Sequence, residues 1–88
     1  MDHSQAAALF EERLPASKAL EVLQSLDASQ VELVSIEGFI RRDDGFEARL
    51  DLIVDFTNMQ QFTKAEHIEI ARLFVSNRAT DETFFEIW

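Results

Sequence analysis

Residues 46–56, FEARLDLIVDF, decide the fold because apolar and polar side chains alternate along them. A two-residue period is that of a β-strand with one buried face, and one-sided burial is typical of antiparallel sheets. The pattern therefore predicts a half-buried antiparallel strand. Its core face would carry Phe46, Ala48, Leu50, Leu52, Val54 and Phe56. Its opposite face would carry Glu47, Arg49, Asp51, Ile53 and Asp55.

The preceding residues 31–41, VELVSIEGFIR, are rich in β-branched and other apolar side chains and predict a second strand. The Asp-Asp-Gly segment 43–45 separates the two strands. Gly45 can adopt positive φ at little cost, so this segment favours a hairpin turn. The two strands are therefore expected to pair as neighbours.

The hairpin register follows from the positions that must face the core. A two-residue loop at Asp44 and Gly45 would pair Arg41 with Ala48 and turn the arginine inward. We therefore expect a three-residue loop that closes Arg42 to Phe46, with a bulge at Gly45. Paired residue numbers would then sum to 88, as in Ile40–Ala48, Gly38–Leu50, Ile36–Leu52 and Val34–Val54.

Helical spacing of apolar residues covers the N-terminal residues 4–27, but Pro15 interrupts it. We expect one helix to about Glu12 and a second from Pro15 or Ser17 to Asp27. The alternative is a single kinked helix. Ser4 and Ser17 are the candidate N-caps.

The C-terminal third predicts one more helix and one more strand. Residues 58–76 form the helix, with Thr63-x-x-Glu66 as a capping box. Asn58-x-x-Gln61 is a second possible start, and Asn77 is the expected stop. Residues 83–88, TFFEIW, read as a third strand. Within this strand Phe85 and Ile87 would face the core.

These elements predict one small α+β domain over residues 1–88, in the order helix-helix-strand-strand-helix-strand. The three strands would form a mostly antiparallel sheet with the helices packed on one face. A chain of 88 residues can bury one modest core. The third strand could lie parallel beside the second strand or antiparallel beside the first.

Charge and composition restrict the class of partner. Seventeen acidic residues against eight basic ones give a net charge of −9, which repels phosphate backbones and anionic lipid. We therefore expect no direct nucleic-acid binding and no membrane binding. No stretch reaches the roughly 18 apolar residues of a membrane span, and no secretory signal pattern is present. A cytoplasmic location is the resulting expectation.

The residues that commonly carry chemistry are sparse. The chain has no Cys or Tyr, and only two Gly for a phosphate-binding loop. His3 and His67 do not show the zinc-ligand spacing of two histidines four residues apart. We therefore expect no cofactor, no metal and no catalysis. A small enzyme is kept only as a third hypothesis, after the two binding functions described below.

The sheet face opposite the helices is the candidate binding surface. The expected register places Phe39 opposite Arg49, as a possible cation–π pair, and Glu37 opposite Asp51. Facing carboxylates destabilise a sheet, which suggests a functional reason for keeping them. The predicted partner-binding residues are Glu37, Phe39, Glu47, Asp51, Ile53, Asp55, Phe84, Glu86 and Trp88.

Aromatic side chains ringed by polar groups are typical of protein interfaces. The main hypothesis is therefore a non-catalytic protein-binding module or inhibitor that engages a protein partner with a basic surface. That partner could be a nucleic-acid-binding protein, if the chain imitates the charge of DNA. Carboxylates beside the rings argue against base stacking. The alternative is a homo-oligomeric structural or adaptor protein, such as a homodimer, that uses the outer sheet face or the edge strand on itself.

Overall fold

The computed structural model describes residues 13–88, so the predicted helix ending near Glu12, with its candidate cap Ser4, lies outside the described residues. The described chain forms a four-stranded antiparallel sheet with two α-helices, which confirms the α+β class. The elements are β1 (Leu14–Pro15), α1 (Ala16–Ser25), β2 (Ser35–Arg42), β3 (Gly45–Asp55), a 3₁₀ turn (Phe56–Asn58), α2 (Lys64–Asn77) and β4 (Thr83–Ile87). The short strand β1 is the one that the sequence did not predict.

The C-terminal strand β4 lies between β1 and β2, and the sheet order is β1-β4-β2-β3. It runs antiparallel to β2, which is one of the two predicted placements. Ile87 is opposite Ile36 and Phe85 is opposite Gly38. Phe85 and Ile87 are fully buried, as predicted. Beyond β4, the Trp88 N–H donates to the carbonyl of Ser35 at 2.9 Å and extends the pairing.

The predicted hairpin register is wrong. Arg42 is opposite Gly45, so the loop contains only Asp43 and Asp44, and the paired residue numbers near the turn sum to 87 rather than 88. Gly45 adopts the positive φ that glycine permits, +141°. The predicted bulge at Gly45 is wrong, because this residue pairs with Arg42 and the irregularity lies further along, between Glu37 and Phe39. Arg41 does not enter the core, because its opposite residue, Phe46, lies on the face away from the helices.

The register between β2 and β3 shifts between Glu37 and Phe39, at a wide irregularity in β3. Phe39 is opposite Ala48 and Glu37 is opposite Ile53, so Gly38 alone faces residues 49–52. An odd number of extra residues reverses which side chains point to each face. For this reason the predicted core face of β3 is wrong in its first half. Phe46, Ala48 and Leu50 are exposed, whereas Leu52 and Val54 contact the core.

The core lies between the helices and one face of the sheet. Burial of large apolar side chains here supplies the main stabilising free energy of so small a domain. Ile36 is a core residue as predicted, although it faces Val54 rather than Leu52. The core side chains are Leu14, Ala16, Ala19, Leu23, Leu33, Ile36, Phe56, Ala71, Phe74, Val75, Phe85 and Ile87.

The start of α2 confirms the predicted capping box. The Glu66 N–H donates to Thr63 Oγ1 at 3.1 Å, and the Thr63 N–H donates to Glu66 Oε1 at 2.9 Å. The predicted cap at Ser17 is wrong, because α1 begins at Ala16 with Pro15 in the cap position and no side-chain cap. The alternative start of α2 at Asn58 is also not used, since this residue ends the 3₁₀ turn.

Replacing the two candidate cap residues tests this difference. Thr63→Ala should lower the free energy of unfolding by about 1 kcal/mol, because it removes the acceptor for a helix N–H. Ser17→Ala, the matched control, should change it by less than about 0.5 kcal/mol, since the exposed Ser17 side chain caps nothing. Urea unfolding of both variants measures the difference, and equal losses would contradict the capping assignment.

Gly38→Ala tests the close approach of β3 to β2. A Cβ on residue 38 would lie 2.5 Å from Leu52 Cβ and 3.1 Å from the Leu52 carbonyl oxygen. Relief requires a backbone shift, so the free energy of unfolding should fall by about 1–3 kcal/mol. Chemical denaturation measures this change. Wild-type stability in this variant would show that the two strands are not held so closely.

Candidate functional site

The sheet face turned away from the helices, here called the outer face, carries side chains from all four strands and from their ends. β1 contributes Pro15, next to Phe84, and Arg13 precedes it. The outer face comprises Arg13, Pro15, Glu37, Phe39, Arg41, Phe46, Ala48, Ile53, Asp55, Phe84, Glu86 and Trp88.

Most of the predicted partner-binding residues come together on this face. Those placed there are Glu37, Phe39, Ile53, Asp55, Phe84, Glu86 and Trp88. Glu47 and Asp51 do not join them. Glu47 is opposite Ile40, whose side chain points to the helix side, and Asp51 lies in the irregular segment of β3. Both displacements follow from the register that the sequence pattern did not reveal.

Three phenylalanine rings form the centre of the outer face. Phe39 is opposite Phe84 on the neighbouring strand. The rings of Phe46 and Phe84 pack edge to face, with centroids 5.2 Å apart and planes at 72°. Such edge-to-face pairs are favourable beyond the area they bury. Phe46 keeps 41% of its surface exposed, so the cluster reaches solvent.

Two arginines lie on these rings. The guanidinium carbon of Arg13 is 4.2 Å from the Phe39 centroid and 5.0 Å from the Phe46 centroid. That of Arg41 is 5.4 Å from the Phe84 centroid. The sequence predicted carboxylates beside the rings, and this interpretation is incomplete because cation–π contacts flank them as well.

The predicted partners of Arg49 and Glu37 are wrong. Arg49 does not lie on Phe39, and its side chain instead pairs with Asp51 at 3.1 Å within β3. Glu37 faces Ile53 on one side and Glu86 on the other. The like-charge opposition is therefore Glu37 with Glu86, and Arg13 lies 3.4 Å from the Glu86 carboxylate. A nearby cation offsets part of the repulsion.

The acidic end of the outer face also organises the chain that follows β3. Asp55 accepts a hydrogen bond from the Thr57 N–H at 3.0 Å, and it accepts another from Asn58 at 3.2 Å. Since Asp55 is opposite Ser35, it lies at the end of the sheet remote from the Asp43–Asp44 turn. Among the outer-face residues, Arg41 therefore lies near the turn and Asp55 lies at the opposite end of the sheet.

Within residues 13–88, the edge strand β3 pairs with β2 alone, and it bears exposed apolar side chains. Leu50 is 89% exposed and Ile53 is 37% exposed, in addition to Phe46 on the same strand. Singly exposed apolar residues are ordinary, but several on one strand at a sheet edge are typical of a contact surface. The outer face and the edge are continuous, because Phe46 and Ile53 belong to both.

A cavity of about 480 Å³ at the start of α2 is lined in part by Phe62, Lys64 and His67. His67 is buried, and its Nε2 lies 2.7 Å from the carbonyl oxygen of Met59. This contact fixes the loop before α2, a structural role. Within residues 13–88, no three His, Asp or Glu side chains are grouped as metal ligands would be.

Neither helix in the described part of the chain is long and apolar enough to cross a bilayer. Comparisons of the chain with protein-family models, curated proteins and solved structures found no match. The outer face and the β3 edge are therefore the features from which a function can be argued.

Proposed function

We propose that this chain is a non-catalytic protein-binding module or inhibitor whose outer face engages a protein partner with a basic surface. The observation that supports the proposal is an aromatic cluster, exposed to solvent at Phe46, that is bordered by carboxylates on the outer face. A buried aromatic centre with a polar rim is the usual composition of a protein interface. In this proposal Phe46, Phe84 and Ile53 supply the apolar contact, and binding takes place in the cytoplasm.

Charge supports the choice of a basic partner. The net charge of −9 attracts a cationic protein over a distance and raises the association rate at low salt. Glu86 and Asp55 place two of the carboxylates on the outer face itself. The same net charge disfavours direct contact with nucleic acid. A nucleic-acid-binding protein, which presents a cationic surface, fits the proposal.

A conservative pair of variants tests the charge argument. Glu86→Gln should weaken binding to a basic partner about 3- to 10-fold, mainly through a slower association rate and with a shallower dependence on salt. Glu69→Gln is the matched control, because its carboxylate also pairs with an arginine, Arg72, but lies on α2. Association kinetics at low and high salt, with a partner captured on the immobilised chain, give the comparison.

Equal effects of the two glutamine variants would contradict a role for the outer face. Affinity that does not fall as salt rises would contradict a basic partner of any kind. Stability of both variants is measured alongside, and each should unfold within about 0.5 kcal/mol of wild type, because exposed ion pairs contribute little.

A second candidate is self-association, as a homodimer or a larger structural assembly. The specific observation that favours it is the concentration of exposed apolar side chains on β3, an edge strand of the sheet that the described residues form. A second copy could cover Leu50 and Ile53, and an interface of this kind depends on apolar area more than on charge. Self-association would then persist or strengthen as salt screens the net repulsion between copies.

Light scattering of two charge-insertion variants tests self-association. If copies meet through β3, Ile53→Asp should reduce the fraction of dimer at a given concentration by about 10-fold or more. Leu73→Asp is the matched control, since Leu73 is 54% exposed on α2. A molar mass that stays at one chain over the accessible concentrations would reject this candidate.

A further inference from the structure

Arg13 lies in a group of side chains suited to hold a guanidinium. Its guanidinium carbon is 4.2 Å from the Phe39 centroid and 5.0 Å from the Phe46 centroid. Its Nε is 3.4 Å from Glu86 Oε2. Two aromatic rings and one carboxylate from three different strands therefore surround one cation. We name Phe39, Phe46 and Glu86 the cradle.

The chemistry of the cradle favours arginine over lysine. A planar, weakly hydrated guanidinium can stack on aromatic rings while its N–H groups reach a carboxylate. An ammonium is a compact, strongly hydrated charge that cannot stack in this way. Glu86 is only 20% exposed at its side chain, so its carboxylate is partly withdrawn from water, which strengthens its attraction for a cation.

The interactions that keep the Arg13 side chain in the cradle are weak. The separation of 3.4 Å is that of an ion pair rather than of a short charge-assisted hydrogen bond. Arg13 also precedes β1 and retains 38% of its side-chain surface in solvent. An arginine from outside could therefore compete for the same rings and carboxylate.

We infer that the cradle recognises an arginine side chain of the basic partner, and that Arg13 occupies it as an intramolecular substitute until the partner displaces it. This inference rests on the proposed function. The Glu86 carboxylate gives the cradle the charge complementary to a guanidinium. The occupant seen in the structure has the chemistry of the occupant proposed.

A second arginine–ring pair shows how the cradle differs from an ordinary cation–π contact. The guanidinium carbon of Arg78 is 4.3 Å from the Phe74 centroid, a similar distance. Among the described residues no carboxylate pairs with Arg78, and its Nη1 lies 3.5 Å from the Phe74 carbonyl instead. Ring and carboxylate converge at Arg13, and Arg78 therefore provides a matched control.

Competition by Arg13 predicts the direction in which the affinity for an external arginine should change when Arg13 is removed. An intramolecular group at high effective concentration reduces the apparent affinity for an external ligand of the same kind. Removing Arg13 should therefore open the cradle and increase binding of arginine. A purely structural Arg13 predicts no gain of binding when it is removed.

The test is an NMR titration of the full chain with N-acetyl-arginine methylamide, using the lysine analogue as a second probe. Arg13→Ala should show saturable shifts at Phe39, Phe46 and Glu86 with a Kd on the order of 1–10 mM. Wild type and Arg78→Ala should bind at least about 10-fold more weakly. The lysine analogue should also bind Arg13→Ala more weakly than the arginine probe does.

Adding Glu86→Gln to Arg13→Ala should abolish the shifts, because the carboxylate of the cradle is then lost. Arg13→Gln provides a second opened variant in case the alanine change perturbs folding, which the unchanged resonances of α2 monitor. Folded variants that show no arginine-dependent shifts, or show them equally in Arg78→Ala, would overturn the inference.

The two proposals fail separately. If a basic partner binds wild type with an affinity that depends on Glu86, but the opened variants do not bind the arginine probe, the inference about the cradle is wrong and the proposed function stands. If the opened variants bind arginine while Glu86→Gln leaves partner affinity unchanged, the cradle exists as a guanidinium site and the proposed function is wrong.

Discussion

The close contact between Leu52 and Gly38 sets how the two long strands face one another. Because Gly38 has no side chain, β3 can pack Leu52 over that position while four of its residues face one residue of β2. The strand changes faces within that segment. Leu52 and Val54 then support the core, and Phe46 and Ala48 are released to the outer face. The aromatic cluster there depends on this exchange.

Features determined by short-range interactions could be predicted from the sequence. The capping box of Thr63 and Glu66 depends on residues three apart, and the start of α2 follows from it. The alternation of β4 was sufficient to place Phe85 and Ile87 in the core. The two-residue strand β1 has no signal of its own, since it forms only by pairing with β4.

The register could not be predicted, for a physical reason visible in residues 46–56. Every even-numbered residue of this segment is apolar, and every odd-numbered one except Ile53 is polar, although the backbone exchanges faces near Leu50. The pattern assumes an uninterrupted strand, and the one apolar residue on its polar side, Ile53, was not sufficient to reveal the interruption. Outer-face residues of β2 and β4 were therefore identified correctly, while Glu47 and Asp51 were not. Arg41 was expected outside the core and lies there, whereas Phe46 and Arg13 were missed because their positions depend on long-range pairing.

The irregular segment of β3 also affects how readily further chains could add to this strand. An eleven-residue edge strand with apolar side chains such as Leu50 would otherwise offer an unbroken row of backbone donors and acceptors, a template for fibrillar cross-β growth. The bulge divides that row into two short pieces that cannot both align with one straight incoming strand. Apolar contact residues can thus be displayed at an open edge with a low risk of amyloid-like stacking.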